Sequence, residues 1–343
     1  MNTPRVHIIL LNWNGWRDTI ECMESLLRQD YANYQIVVCD NASEDGSLDN
    51  IEAWARGELE ASQSPNAVLA GLVKPAIKKP IALTQISAKI AQKLETPVDS
   101  PVVIIENGGN IGFAAGNNTG FRFALAQGTD FCWLLNNDTV VAPDALSKMV
   151  EHISRLASQG IPTTCGSVQC FYDNPSVVQA LGGFAYNKRN AVTAPPFGRY
   201  KKLVELQEKD FVEAEQHLDA IHGCSWLLPR AFLREIGLMD ERFFLYYEEI
   251  DWALRARDKF VLTFSPEAFV YHKEGASIGS TGFKRARSAF AEYHLIKSRM
   301  LFCRKHEPLK VFGVALYAIL QAVNRIRQRR FNNSKSILRA IFN

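Results

Sequence analysis

The sequence predicts an α/β fold, a mainly parallel central sheet with helices on its faces, continued by a helical, basic C-terminal tail. Three observations carry this. Apolar strand-like runs alternate with helix-like segments through the first 150 residues, and such alternation builds parallel sheets. Each apolar run ends in Asn, Asp, Ser or Gly, the edge where parallel sheets hold ligands. After Lys284 helical spacing takes over to the end of the chain.

The elements follow in order. "RVHIILLNWN" is a buried strand with a polar end. In "GWRDTIECMESLLRQ", Ile20, Met23, Leu26 and Leu27 share one helical face. "QIVVCDNASEDGS" repeats the scheme, its helix opening near Ser47, and "PVVIIENGGNIGFAAGNN" and "FCWLLNNDTVVAPDALSKMV" give the third and fourth units. Between about 57 and 100 the pattern lapses into a Lys-, Pro- and Ser-rich insertion, expected to be part loop and part short helix. The stretch 162–219 holds β-like pieces and a loop at "APPFGRYKK". "IHGCSWLLPRAFLREIG" is a strand then a helix, and "FVLTFSPEAFVYHKEG" gives one or two strands ending at His272.

The 343 residues suffice for one large domain or two modest ones with a sizeable core. The net charge of +3 is unevenly spread. From Lys297 onward there are eleven Lys or Arg and one acid, Glu307, so the tail carries +10 and the remainder −7. A basic tail on an acidic body points to an anionic partner. Arg325, Arg327, Arg329, Arg330, Lys335 and Arg339 beside an apolar stretch suggest an amphipathic helix lying on a membrane surface, or a packed terminal helix with a solvated basic face. No nucleic-acid reading motif accompanies the basic residues, so no nucleic-acid partner is expected. The apolar run 311–323 is shorter than the ~20 residues that span a bilayer, and the N-terminus lacks a signal-peptide pattern. Seven scattered cysteines without a CxxC pair indicate reduced thiols and a cytoplasmic setting.

Four loops hold the candidate chemistry. Asn12 and Asn14, and Asp40, Asn41, Ser43 and Asp45, follow two strands that should be neighbours. They suit a ribose or base edge, yet the same residue types also make Asx-turns and helix caps. The third loop has Gly109 and Gly112 but Asn107 where a dinucleotide fingerprint needs its first glycine. Asp138, flanked by Asn136 and Asn137, is a hard-oxygen position suited to Mg²⁺ or Mn²⁺ with a phosphate substrate, or else a turn. In "FFLYYEEIDWALRAR", Glu248, Glu249 and Asp251 stand at a helix start, where the helix dipole alone favours acids. Asp251 and Arg255 are spaced to pair. Glu248 and Glu249 lie about 100° apart on a helix, so one of them is expected to face a cleft.

Taken in order, "HIILLNWNG", "VVCDNASEDGS", "NIGFAAGNN", "LLNNDTVV", "GCSWLLPR", "FFLYYEEIDWALR" and "VYHKEGAS" resemble the family 2 inverting glycosyltransferases, most of all a rhamnosyltransferase-like bacterial branch that builds cell-surface polysaccharide. The resemblance spans residues 5–305. It implies the GT-A fold, a Rossmann-like nucleotide-sugar transferase architecture, in a domain over 1–283, with a nucleotide-binding half at about 1–140, an acceptor-side half at about 141–283 and the tail at 284–343. It implies a divalent cation, Mg²⁺ or Mn²⁺, at Asp138 with His272 completing the site; Asn136 replaces the first acid of the family's Asp-x-Asp motif. Asn12, Asn14, Asp40, Asn41 and Asp45 are the implied nucleotide pocket, continued by Asn110, Gly112, Asn117, Asn137 and Asp138. Glu249 is the implied catalytic base, with Glu248 the alternative. The implied reaction moves a sugar, L-rhamnose in this branch, from a dTDP- or UDP-sugar donor to a glycan or lipid-linked glycan at the inner face of the cell membrane. A glycoside hydrolase with paired carboxylates and a non-catalytic nucleotide-sugar-binding protein are the competing readings.

Overall fold

A computed structural model describes residues 3–62, 64–94, 96–187, 191–273 and 287–342. The chain opens with β1 (Val6–Asn12), α1 (Trp16–Leu26), β2 (Tyr34–Asp40) and α2 (Ser47–Arg56). The insertion supplies α3 (Ala67–Val73), β3 (Leu83–Ser87) and α4 (Ala88–Ala91). Then come β4 (Val102–Glu106), α5 (Phe113–Ala126), β5 (Phe131–Asn136), β6 (Thr139–Val141) and α6 (Ala145–Ser158). The next region has the long pair β7 (Thr163–Phe171) and β8 (Asn174–Leu181), the short strands β9 (Gly183–Phe184), β10 (Tyr186–Asn187) and β11 (Val192–Thr193), and α7 (Glu208–Gln216). It continues through β12 (Ala220–Ile221), β13 (Ser225–Pro229), α8 (Arg230–Glu235), α9 (Glu248–Ala256) and β14 (Val261–His272). Three helices close the chain: α10 (Ala289–His306), α11 (Val311–Arg327) and α12 (Phe331–Phe342).

The central sheet runs β3-β4-β2-β1-β5-β13-β7-β14-β6, with β8 paired to β7. From β3 to β5 all pairs are parallel. The strand β13 is antiparallel to both neighbours, and β14 is again parallel to β7. Parallel strands between two helical layers are buried on both faces, which is why β1, β2 and β4 read as unbroken apolar runs. Their side chains still alternate. Ile8, Leu10, Ile36, Val38 and Ile104 pack with Ile20, Met23, Ile51, Trp54 and Met149 of α1, α2 and α6. Ile9, Val37, Val103 and Ile105 pack on the opposite face with Phe121 of α5, Trp252 of α9 and Met300, Phe302, Val314 and Ile337 of the last three helices. The tail helices therefore share the core of the sheet; burying a Phe or Met side chain contributes about 1.5–3 kcal/mol. The expected boundary at residues 283/284 lies outside the described residues.

Three expectations need correction. The insertion is more than loop and short helix: β3 joins the sheet as its parallel edge strand, Leu83 opposite Val102 through Ser87 opposite Glu106. The fourth unit passes through β6, antiparallel to β14, before its helix. The helix from Pro308 to Arg327 is, by length and composition, apolar enough to cross a membrane, although 311–323 alone falls short. The helix extends past Val323, with arginines only at its end.

Candidate active site

The parallel registers set Asn12 beside Asp40, Asp40 beside Glu106 and Leu11 beside Asn136, so the polar strand ends form one row. A cavity of about 610 Å³ opens on that edge, within the range of small-molecule sites.

On the sheet side, the neighbouring loops do meet. Asn12 Nδ2 donates to Asp40 Oδ1 at 2.7 Å, and Asp40 accepts from the Ser43 amide at 3.0 Å and hydroxyl at 2.7 Å. Thr19 Oγ1 donates to Asn12 Oδ1 at 2.9 Å and accepts from Asn137 Nδ2 at 2.9 Å. Asn14 accepts from the Glu44 amide, and Asp45 accepts from the amide and hydroxyl of Ser47, the first residue of α2. Asn117 donates back to the Phe113 carbonyl within its own helix. Of the ten positions implied for the donor, Asn41, Asn110, Gly112, Asn137 and Asp138 line the cavity; Asn12, Asn14, Asp40, Asp45 and Asn117 are not among its lining residues. Asn41 is fixed by the Asn107 side chain at 2.8 Å and donates to the Gly112 carbonyl at 3.1 Å. Gly112 has φ +87°, and a Cβ there would sit 2.6 Å from the Phe244 carbonyl oxygen. Its glycine identity is thus set by the approach of the loop that leads into α9, anchored at the same spot by the Phe113 amide donating to Phe244 O at 2.7 Å.

At the centre, Asp138 Oδ1 lies 3.2 Å from His272 Nε2. Asn136 Nδ2 is 3.3 Å from the same nitrogen, and Gln179 Oε1 is 2.8 Å from His272 Nδ1. Burial opposes the charge on Asp138, but the adjacent His272 outweighs it and holds the carboxyl below its usual range. Burial likewise opposes charging His272; Cys224 and Asp138 prevail and hold it well above an ordinary imidazole. His222, whose ring centre is 6.1 Å from that of His272, is pushed down to about 3 by burial and the neighbouring charge. Among the described residues no cluster of three or more His, Cys, Asp or Glu forms a metal cage. Asp138 and His272, both on the cavity wall, supply two converging donors. With His272 neutral, its proton displaced, that donor set fits a Mg²⁺ or Mn²⁺ ion drawing its remaining oxygens from a diphosphate and water. Lys273 turns away, to Asp18 at 2.6 Å and Glu21 at 2.5 Å.

Facing this centre are Glu248 and Glu249, the first residues of α9. Both line the cavity, contrary to the expectation that only one would. The 100° separation describes their Cα positions, and two long side chains at a helix start can still converge. They are hydrogen-bonded to each other. Glu248 is 2% exposed and its Oε2 has no partner. Burial, then the charge of Glu249, pushes Glu248 well above the ordinary carboxylate range. Burial also raises Glu249, restrained by the amides of Glu249 and Gly223 and by Glu248. Of the two, Glu248 is the more strongly disfavoured as a carboxylate, because burial and the charge of Glu249 act together on it. A Cβ on Gly223 would stand 2.8 Å from Glu249 Oε1, so glycine is required for that contact. The preceding Tyr246 and Tyr247 both have positive φ, 68° and 71°; such conformations cost about 1–3 kcal/mol each. Asp251 pairs with Arg255 at 3.0 Å, as its spacing suggested, and also with Lys305 and His306 of α10.

Several cavity residues escaped the sequence reading: Trp13, Phe184, His222, Gly223, Phe244 and Arg287. The glycine in "IHGCSW" was an available signal: Gly223 sits in the turn closed by the Ser225 amide on the His222 carbonyl, and a Cβ there would meet Glu249.

A mainly parallel sheet whose strand ends face a buried acid pair across one cavity is a GT-A architecture. Over 99% of its length this chain matches, with a TM-score of 0.50 and 16% identity, 75% of the structure of mannosyltransferase PcManGT from Pyrobaculum calidifontis in complex with GDP-mannose and Mn²⁺. The chain belongs to glycosyl transferase family 2, whose family model matches residues 7–66 and 84–235. Among curated relatives, it is 27% identical over 155 residues to the low-salt glycan biosynthesis hexosyltransferase Agl10 of Haloferax volcanii, covering 45% of each chain. It is 28% identical over 179 residues to Rv1525 of Mycobacterium tuberculosis, covering 51% of this chain and 59% of that one. The chain thus spans about half the length of the curated relatives it matches.

Proposed function

We propose that this protein is an inverting glycosyltransferase that moves a sugar from a nucleoside-diphosphate donor to a hydroxyl of a glycan or lipid-linked glycan in cell-surface polysaccharide synthesis. The supporting observation is that Glu249 shares one cavity with Asp138 and His272. The acceptor hydroxyl attacks the anomeric carbon as the diphosphate leaves from the opposite face, and Glu249 takes the hydroxyl proton as that bond forms. Gly223 lies close against the Glu249 carboxylate, and Glu248, whose charge burial disfavours, would spare it a second negative charge. Asn41, Asn110 and Asn137 bind the nucleotide and sugar, with Asp40, Asn12, Asn14, Asp45 and Asn117 shaping those loops from behind. A divalent cation, Mg²⁺ or Mn²⁺, held by Asp138 and His272 would stabilise charge on the diphosphate. The donor in this reading is a dTDP- or UDP-sugar, with L-rhamnose the sugar that the motif set suggests. The hydrolase reading needs carboxyls ~5–9.5 Å apart across a sugar, whereas Glu248 and Glu249 are in hydrogen-bond contact.

We place the protein in the cytoplasm, peripheral on an anionic membrane surface through α11. Val314, Ala318 and Ala322 bury one side of this helix against the body, so it lies flat rather than spanning. Its opposite side exposes Phe312 (87%), Leu316 (60%) and Leu320 (59%), with Arg327 in its last turn and Arg329 just beyond its end. An apolar ridge with a basic end suits an interface of anionic lipid. Sedimentation with phosphatidylglycerol vesicles, compared with phosphatidylcholine, is expected to be lost in a Phe312→Glu/Leu316→Glu variant.

The transferase reading is tested by a thermal-shift screen of dTDP-rhamnose, UDP-glucose, UDP-N-acetylglucosamine and GDP-mannose, each with and without Mn²⁺. Binding to the native state raises its stability. A Mn²⁺-dependent rise with one donor supports the proposal; silence across nucleoside diphosphates and their sugars overturns it.

A further inference from the structure

The acid pair stands at the end of a turn that two structures hold from outside. One is the N-terminus of α5, through the Phe113 amide on the Phe244 carbonyl. The other is α10. Its His294 ring stacks on Phe244 at 4.5 Å, and its Ser298 hydroxyl donates to the Leu245 carbonyl at 2.8 Å. One turn of contact further, Arg299 Nε donates to the Tyr247 hydroxyl at 2.9 Å. That hydroxyl in turn donates to the Ala191 carbonyl. Arg299 is itself 3% exposed, and its Nη1 donates to Gln321 Oε1 of α11 at 3.0 Å.

A buried guanidinium is a demanding choice for a structural contact, because an apolar residue would fill the same space without a charge to satisfy. Its placement explains the choice. Tyr247 is the left-handed residue that caps α9, and its carbonyl receives the first turn's bond from the Asp251 amide at 2.9 Å. Fixing the Tyr247 ring at its far end fixes the backbone from which Glu248 and Glu249 project. Two consecutive non-glycine residues at positive φ persist only where the surroundings over-determine them.

We propose that Arg299 is a positioning residue for the reaction, acting through Tyr247 to hold Glu249 at its working orientation. The role rests on the reading of Glu249 as the base. Arg299 is not among the residues that line the cavity; it links the Tyr247 turn to α11, so on this reading the C-terminal helices belong to the catalytic apparatus.

The test uses the full chain. Arg299→Met and the gentler Tyr247→Phe remove the same hydrogen bond from opposite ends. Hydrogen exchange of residues 243–251 is read by mass spectrometry, alongside nucleoside-diphosphate release from the four donors above and the thermal shift each donor produces. Both variants are expected to exchange at least tenfold faster in that segment while strands β1, β2 and β5 stay protected. Turnover is expected to fall tenfold or more with the donor thermal shift unchanged, and the acid limb of the pH–rate profile to move. Arg299→Lys, which keeps the charge and one donor, is expected to recover part of the loss. Unchanged exchange in 243–251 for Tyr247→Phe overturns the proposal, whether or not Arg299→Met folds. Glu249→Gln separates the two readings. If it abolishes turnover while the Arg299 and Tyr247 variants keep wild-type exchange and kcat, Glu249 stands and the role of Arg299 falls; if Glu249→Gln is fully active, the base assignment itself falls.

Discussion

On the sheet side of the cavity, Asn12, Thr19, Asp40, Ser43 and Asn137 satisfy one another's polar atoms. Across the cavity the helix side does the opposite: Glu248 keeps an unpartnered buried oxygen, and Tyr246 and Tyr247 hold left-handed backbone. A closed network presents a fixed shape to a donor at no further cost. An acid pair with unmet demands can change its protonation state. In the proposed reaction the contrast divides recognition from chemistry within one cavity. The two sides meet at Gly112 and Phe244, where the anchoring hydrogen bond is 2.7 Å long.

The sharpest way to break the contrast is Glu249→Gln. Removing a general base typically costs about 10²–10⁴-fold, so turnover should collapse while the donor-induced thermal shift survives; equal losses in both would erase the division. Gly112→Ala attacks the seam. Its Cβ would meet Phe244 O in a backbone conformation that resists side chains, and a loss of roughly 2–4 kcal/mol in denaturant unfolding is expected, combining φ strain with displaced packing. Asp40→Ala strands the donors of Asn12 and Ser43 and should cost about 1–3 kcal/mol, with weaker donor binding and an unchanged pH profile.

The pH dependence sharpens it further. As the proposed base, Glu249 would act when ionised, so turnover should rise with pH through a pKa above its ordinary value of 4.5. The same raised values in the acid pair mean that the native state binds these protons more tightly than the unfolded chain. Their contribution to stability is present below the ordinary carboxylate range and is lost as pH rises through the native pKa values. Activity and stability should therefore move in opposite directions over that window. Glu248→Gln should flatten the fall in stability, read by denaturant unfolding across the same window. The expected change is about 1.4 kcal/mol for each tenfold difference in proton affinity between the folded and unfolded carboxyl. The smallest effect is expected for Asn136→Asp, which adds a second carboxylate beside His272 and should tighten Mn²⁺ binding severalfold in a titration.

Much of the sheet side was legible because the physics there is local. A strand buried on both faces announces itself as an apolar run, and the row of Asn12, Asp40 and Asn136 follows from parallel register. The strand β3 was missed because "LTQIS" is a half-exposed edge inside a Lys- and Pro-rich segment, with no apolar run to mark it. The helix side was legible as a motif but not as geometry. No glycine marks the left-handed turn at Tyr246–Tyr247; tertiary contacts from 52 and 56 residues away impose it. Gln179 reaches His272 across a sequence separation of 93, and no local pattern encodes that. Spacing also suggested that Glu248 and Glu249 diverge, because angular separation on a helix ignores the reach of the side chain.

All seven cysteines are buried, and no disulfide links any of them among the described residues. Burial pushes the thiols of Cys22, Cys39, Cys132 and Cys170 up to about 12 and that of Cys303 to about 11. The folded chain should consequently ignore maleimide reagents, giving a silent background for fluorophore labelling. A single cysteine installed at Phe312 would then be the sole dye attachment point, and its emission colour would reveal whether that ridge enters lipid.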